Sequence, residues 1–156
     1  MKSTLIELQQ ILENFSIRLD ELTDTEFEAK NFPGKWSKKE VLGHLIDSAQ
    51  NNLRRFIVAQ YESPAPKIVY DQNFWVSANG YQLMNKNNLI SLWKLMNEGI
   101  VAVLRNMPEE NYTKLCDTGK AAVQLRSIEW LAPDYIKHMK HHLNQIFPGS
   151  FDVIYP

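Results

Sequence analysis

Tyr135-Ile136-Lys137-His138-Met139-Lys140-His141-His142-Leu143-Asn144-Gln145-Ile146 holds three of the chain's four histidines, and its apolar residues recur at helical spacing. On a wheel turning ~100° per residue, Leu131, Tyr135, Met139, His142 and Ile146 fall into one stripe. His138 lies at the edge of that stripe, about 40° from His142, while His141 points away from it. One turn apart and both facing inward, His138 and His142 form the i, i+4 pair with which a helix grips a transition metal. Histidines also sit on helices as polar filler, so the pair alone decides nothing. A metal site needs a further ligand from a facing helix.

The rest of the chain supplies such helices. Leu5, Leu8, Leu12, Phe15, Leu19 and Leu22 repeat at three- and four-residue steps, which predicts a first amphipathic helix capped near Ser3 and fading by Asp24. After the turn-rich run Asn31-Phe32-Pro33-Gly34-Lys35-Trp36, Ser37-Lys38-Lys39-Glu40 reads as a capping box opening a second helix that reaches about Gln60. Leu42, Leu45, Ala49, Leu53 and Phe56 form its apolar stripe. A second stripe, His44, Ser48, Asn51 and Arg55 with Asp47 beside it, is wholly polar. Such a stripe usually faces solvent. This one lacks the usual Lys/Glu mixture and carries the fourth histidine, so it suits the wall of a wet cavity as well.

Tyr61 to Asn85 is a long connection with Pro64, Pro66 and the aromatic run Tyr70-Asp71-Gln72-Asn73-Phe74-Trp75. That length predicts a crossover along the bundle, with aromatic residues closing one end of a pocket. A third helix follows from about Asn87, with Leu89, Leu92, Trp93, Met96, Ile100 and Val103 as its buried stripe, and Met107-Pro108 ends it. Tyr112 to Leu125 reads as two short extended pieces about the turn Asp117-Thr118-Gly119-Lys120. Ser127 starts the last helical region, in which Pro133 is either a kink or the first residue of the helix proper. An extended tail beyond Pro148-Gly149 packs on the bundle. The expectation is one all-α domain over residues 1–156, a four-helix bundle with a long crossover between its second and third helices.

Composition narrows the function. Net charge is -1 and no basic block appears, which argues against nucleic-acid binding. No apolar run approaches the ~20 residues of a membrane span, and Met1-Lys2-Ser3-Thr4 leads directly into a helical pattern without a signal-peptide layout. The single cysteine, Cys116, has no internal partner, which suits a reducing cytoplasm, and nothing nearby in sequence activates it. His44 on the second helix can join His138 and His142 on the fourth. Three neutral imidazoles suit Zn, Ni, Fe or Cu and leave coordination positions open. An ion with an open position acidifies a bound water toward ~7 in zinc enzymes, and it can equally take a thiol.

Trp36-Ser37-Lys38-Lys39-Glu40-Val41-Leu42-Gly43-His44-Leu45-Ile46-Asp47-Ser48 resembles the W-S-x-x-E-x-x-x-H-L-x-D-S opening of the DinB/YfiT-like superfamily. Asn51 and Arg55 continue it at the spacing of the YfiT branch. Pro66 with Tyr70-Asp71-Gln72 and Trp75 resembles that branch's P-x-x-x-Y-D-E…W connection, and His138-x-x-x-His142-Leu143-x-Gln145-Ile146 its closing H-x-x-x-H-L-x-x-I. The resemblance runs from Trp36 to Ile146. It implies an up-down-down-up bundle and a divalent ion held by His44, His138 and His142. It also implies activities ranging from S-transfer of bacillithiol, mycothiol or glutathione to thiol-dependent isomerisation and metal-dependent hydrolysis, often in homodimers. Gln145 and Lys137 depart from the YfiT pattern of a histidine and an aromatic, and Cys116 falls near another expected histidine. The triad is untouched by these departures.

Four readings follow. In the leading one, a metal-dependent transferase joins a low-molecular-weight thiol such as bacillithiol to an electrophile. His44, His138 and His142 hold a divalent ion (Zn, Ni or Fe), and Asp47 orients a ligand or accepts a proton. Arg55 holds a carboxylate of the thiol, with Asn51 and Tyr70 beside it. A hydrolase would use the same residues with water in the thiol's place. A non-enzymatic bundle would carry a structural ion, but such sites are closed by four protein ligands and only three are evident. A bundle without metal would leave His44 on the surface and His138 and His142 as hydrogen-bonded core residues. Partners are small molecules and a second copy of the chain.

Overall fold

The computed structural model describes residues 1–30 and 32–155, so the expected turn at Asn31 and the end of the tail at Pro156 lie outside the described residues. The elements in order are α1 (Lys2–Asp20), α2 (Asp24–Glu28), α3 (Lys38–Val58), α4 (Gln72–Asn79), α5 (Lys86–Asn106), β1 (Leu115–Asp117), β2 (Leu125–Ser127) and α6 (Ile128–Ile146). The four long helices form the bundle, in the up-down-down-up order, with α3 packed on α5 and α6, and α1 packed on the same two.

α1 buries Leu8, Leu12, Phe15 and Leu19 of the expected stripe and Ile11 besides, while Leu5 and Leu22 are only partly buried. It starts at Lys2 without a side-chain cap, so Ser3 sits inside the first turn and is not the cap. Each fully buried Leu or Phe of this kind contributes about 1.5–3 kcal/mol. The Ser37–Glu40 capping box is formed, with Glu40 N donating to Ser37 Oγ at 3.1 Å and Ser37 N to Glu40 Oε2 at 2.8 Å. From there α3 is buried on both sides. Leu42, Leu45, Ala49 and Phe56 face the apolar core, while His44, Asp47, Ser48, Asn51 and Asn52 are buried on the other side. The polar stripe is therefore an internal wall, not a solvated face.

The crossover holds more structure than its loop-like composition suggests. α4 lies within it, because Asp71 Oδ1 accepts from Asn73 N and Phe74 N at 3.0 Å and Gly80 closes the helix in the left-handed region at φ 60. The stretch Pro66–Ile68 pairs with β1, Asp117 N donating to Pro66 O at 2.9 Å and Ile68 N to Asp117 O at 3.0 Å. β1 and β2 pair antiparallel, with Cys116 opposite Arg126. In α5, Leu92 is exposed and Asn97 takes a buried place instead, donating to Trp93 O and accepting from Tyr135 OH. Ser127 caps α6, which runs unbroken through Pro133, so Pro133 is not the first residue of the helix.

After α6 the chain folds back onto α1. Phe151 stacks on Phe15, and its backbone exchanges two hydrogen bonds with the Asn144 side chain. Arg18 lies over the Phe15 and Phe147 rings and donates to Ser150 Oγ at 2.9 Å. These contacts fix the path that leads to Tyr155.

Candidate metal centre

α3 and α6 pack against each other, and this brings three imidazoles together. One ring nitrogen each of His44, His138 and His142 lies within 4.8 Å of the others. The ring centroids are 4.5 Å apart for His44–His142 and His138–His142, and 5.1 Å for His44–His138, with every pair of rings tilted by about 70°. His44 Nε2 and His138 Nε2 are 3.2 Å apart. Two nitrogens each ~2.0–2.1 Å from one tetrahedral ion are ~3.3 Å apart. The donor set and its spacing fit a divalent transition ion.

The outer nitrogens explain how the rings are aimed. His142 Nδ1 lies 3.1 Å from Gln145 Oε1, which can only accept, so Nδ1 carries the proton and Nε2 keeps its lone pair. Gln145 Nε2 is in turn 3.2 Å from His141 Nε2, which places His141 outside the triad as its wheel position requires. His138 Nδ1 faces Ser48 Oγ at 3.4 Å. His44 is fully buried, its ring tilted by 34° to that of Trp36 at 5.1 Å, and its Nδ1 has no partner among the described residues. Burial first, and then His142, hold the pKa of His44 down at about 3. Burial, with His142 and His44 beside it, holds His138 at about 2, and burial lowers His142 too. All three are therefore neutral, the form that binds metal.

The other expected site residues are spread along the walls. Asp47 is fully buried; its Oδ1 accepts from Asn79 Nδ2 at 2.9 Å and Tyr81 OH at 2.6 Å, while Oδ2 has no partner among the described residues. Burial raises its pKa to about 6, against the pull of those two hydrogen bonds. Asn51 is turned onto its own helix, donating to Asp47 O at 2.9 Å, and its neighbour Asn52 lines a cavity instead. Tyr70, with its ring 6.5 Å from that of His44, lines the same cavity. Arg55 also reaches it, and donates to Ile68 O through Nε and Nη2. Cys116 is buried with Sγ 3.2 Å from Pro66 O, and burial pushes its thiol pKa up.

Two kinds of space meet at the triad. A cleft of about 640 Å3 opens on His142, with Trp36, Lys35, Lys38, Gln72 and Gln145 on its walls. On the His138 side lie two small adjoining polar chambers of about 210 and 120 Å3, which share Arg55, Tyr70 and Tyr155. No periodic signal marks Lys120, in a turn, or Tyr155, in an extended segment, as a wall of the site. Asn52 lies one position from Asn51, on the face of α3 that the spacing leaves between the two stripes.

The sequence profile of the DinB superfamily matches residues 7–146. The chain belongs to the DinB superfamily. It is similar to YfiT of Bacillus subtilis (strain 168), with 24% identity over 144 residues, covering 88% of this chain and 79% of that protein. The solved YfiT structure, described as a probable metal-dependent hydrolase with an unusual four-helix bundle topology, superposes with a TM-score of 0.83 at 20% identity. The match covers 93% of this chain and 82% of YfiT. A mycothiol-dependent maleylpyruvate isomerase matches with a TM-score of 0.67 at 14% identity, over 91% of this chain and 59% of that one. A histidine-to-alanine mutant of it gives 0.70 at 13% identity with the same coverage. This DinB-superfamily chain thus has the four-helix fold of its relatives, with a three-histidine cluster that fits a metal site. No helix among the described residues is long and apolar enough to cross a membrane.

Proposed function

We propose that the protein is a divalent-metal-dependent S-transferase that joins a low-molecular-weight thiol to an electrophilic small molecule. His44, His138 and His142 are the ligands in this reading. A divalent ion in their grip supplies a Lewis acid that makes a bound thiol or water more acidic at neutral pH. The observation that favours transfer over hydrolysis is the pair of spaces meeting at the triad. A reaction of the form R–SH + R′–X → R–S–R′ + HX has two organic partners to seat, and the His142 cleft and the His138 chambers offer a place for each. The thiol proton needs an acceptor. Asp47, with a pKa of about 6 and an Oδ2 that has no partner among the described residues, is ionised at neutral pH and serves that role directly or through a water.

Hydrolysis is the second reading, favoured by the likeness to YfiT, and it uses the same residues. The test is conjugation of 1-chloro-2,4-dinitrobenzene with bacillithiol, glutathione or mycothiol by metal-loaded protein, run beside ester and amide substrates without thiol. The transferase reading expects chloride release that requires both metal and thiol. Turnover of the esters or amides without thiol, and none with it, would transfer the case to hydrolysis.

A further inference from the structure

The polar stripe of α3 ends in a cation that makes no ion pair among the described residues. Arg55 is half-buried, and its three hydrogen bonds go to neutral acceptors: Nε and Nη2 to Ile68 O, at 3.1 and 2.8 Å, and Nη1 to Asn52 Oδ1 at 3.2 Å. Among the described residues no carboxylate forms an ion pair with it. A guanidinium cannot discard its proton, and holding a charge away from water costs several kcal/mol unless an opposite charge compensates. Three of its five N–H groups are taken, which leaves two for a ligand.

A second cation stands on the same pocket. Lys120 is carried by the β1–β2 turn, which Asp117 builds by accepting from Gly119 N at 2.9 Å and Gln124 N at 2.8 Å. Lys120 is exposed and also unpaired among the described residues. Tyr70 and Tyr155 add hydroxyls to the wall. One acid, Asp134, lines the adjoining 120 Å3 chamber that Arg55 also reaches; its Oδ2 accepts from Tyr155 OH at 3.3 Å, and it makes no ion pair with Arg55. The 210 Å3 chamber is thus lined by two cations and no carboxylate, with His138 as the wall it shares with the triad.

We propose that this chamber is an anion subsite for a substrate carboxylate, with Arg55 as its fixed anchor, Lys120 as a charge at its mouth and Tyr155 as a wall. A carboxylate seated on Arg55 places the rest of its molecule over His138. The subsite rests on the reading of the triad as the reaction centre, yet its binding chemistry does not need the ion. The carboxylate belongs either to the thiol or to the electrophile.

The experiment is an amide and arginine Nε–H NMR titration of chelator-treated protein with succinate, and separately with dimethyl succinate. Saturable shifts with succinate at millimolar concentrations, reaching Arg55 Nε–H and Lys120, are expected, with none from the uncharged ester. Arg55→Lys loses the planar fork, so affinity falls at least tenfold. An Arg55→Lys spectrum that keeps the parent's amide dispersion shows that variant folded, and Lys120→Ala, on an exposed turn that leaves Arg55 intact, independently weakens binding about threefold. Absence of succinate binding, equal binding of the ester, or unchanged affinity in Arg55→Lys overturns the subsite. With metal restored, the two sources separate. Arg55→Lys raises KM for mercaptoacetate but not 2-mercaptoethanol if the thiol carries the carboxylate, and raises KM for the electrophile if it does. Loss of all thiol transfer with succinate binding intact refutes the transferase reading and leaves the subsite standing.

Discussion

Acid should weaken the metal-free protein by an amount set by its buried histidines. In an unfolded chain histidine titrates near 6.5, whereas His44 and His138 in the fold are held at about 3 and about 2. Well above pH 6.5 the folded and unfolded states bind the same number of protons at these sites. Below it the unfolded chain takes up protons that the folded one refuses, so stability falls as pH drops toward 3. At pH 5 each histidine costs about 2 kcal/mol by this linkage. Asp47 works in the opposite sense. Its pKa is raised from 3.8 to about 6, so the folded state binds its proton first on acidification. From pH 7 to 5 this returns ~1.3 kcal/mol. The net loss is ~2–3 kcal/mol, or roughly 5–10 °C in Tm for a domain of this size. The assay is thermal unfolding of chelated protein by circular dichroism from pH 7 to 5. His44→Gln should flatten the pH dependence by about 2 kcal/mol, and Asp47→Asn should steepen it by ~1 kcal/mol. A parent equally stable at both pH values, or a His44→Gln variant with the parent's slope, would refute the picture of histidines buried neutral.

Two glycines should respond oppositely to the same change. A Cβ on Gly43 would lie 2.1 Å from the buried Tyr81 ring, so Gly43→Ala should cost ~1–2 kcal/mol after its gain in helix propensity. Gly99 has open space, so Gly99→Ala should stabilise by ~0.5–1 kcal/mol; urea melts of both read the difference. Chelation of the metal-loaded protein should lower Tm yet keep the helical circular dichroism signal, because the apolar core exists independently of the ion. Loss of the helical signal on chelation would instead promote the structural-metal reading.

What could be read from the sequence followed from periodicity. The wheel positions of His138 and His142 follow from helix phase, which fixes the side chains that face a partner, whereas the inward facing of the His44 stripe rests on its composition and on the family resemblance. α4 was missed because an aromatic, polar run has no stripe. Its end signals were nonetheless present, Asp71 as cap and Gly80 as terminator. Thr23 and Glu26 likewise spelled the capping box of α2. Arg55 was placed on the right face, but its bonds to Ile68 depend on a crossover held by β1, a pairing between distant segments. Lys120 and Tyr155 depend on the Asp117 turn and on Phe151 stacking against Phe15. Such long-range contacts leave no local pattern to read.

The central claim is that His44, His138 and His142 hold one divalent ion. Elemental analysis of the purified protein and its histidine variants tests it most directly. The account predicts one equivalent of a divalent transition metal per chain, lost in His44→Ala, His138→Ala and His142→Ala and kept in His141→Ala. Metal retained by His44→Ala, or lost from His141→Ala alone, would contradict it.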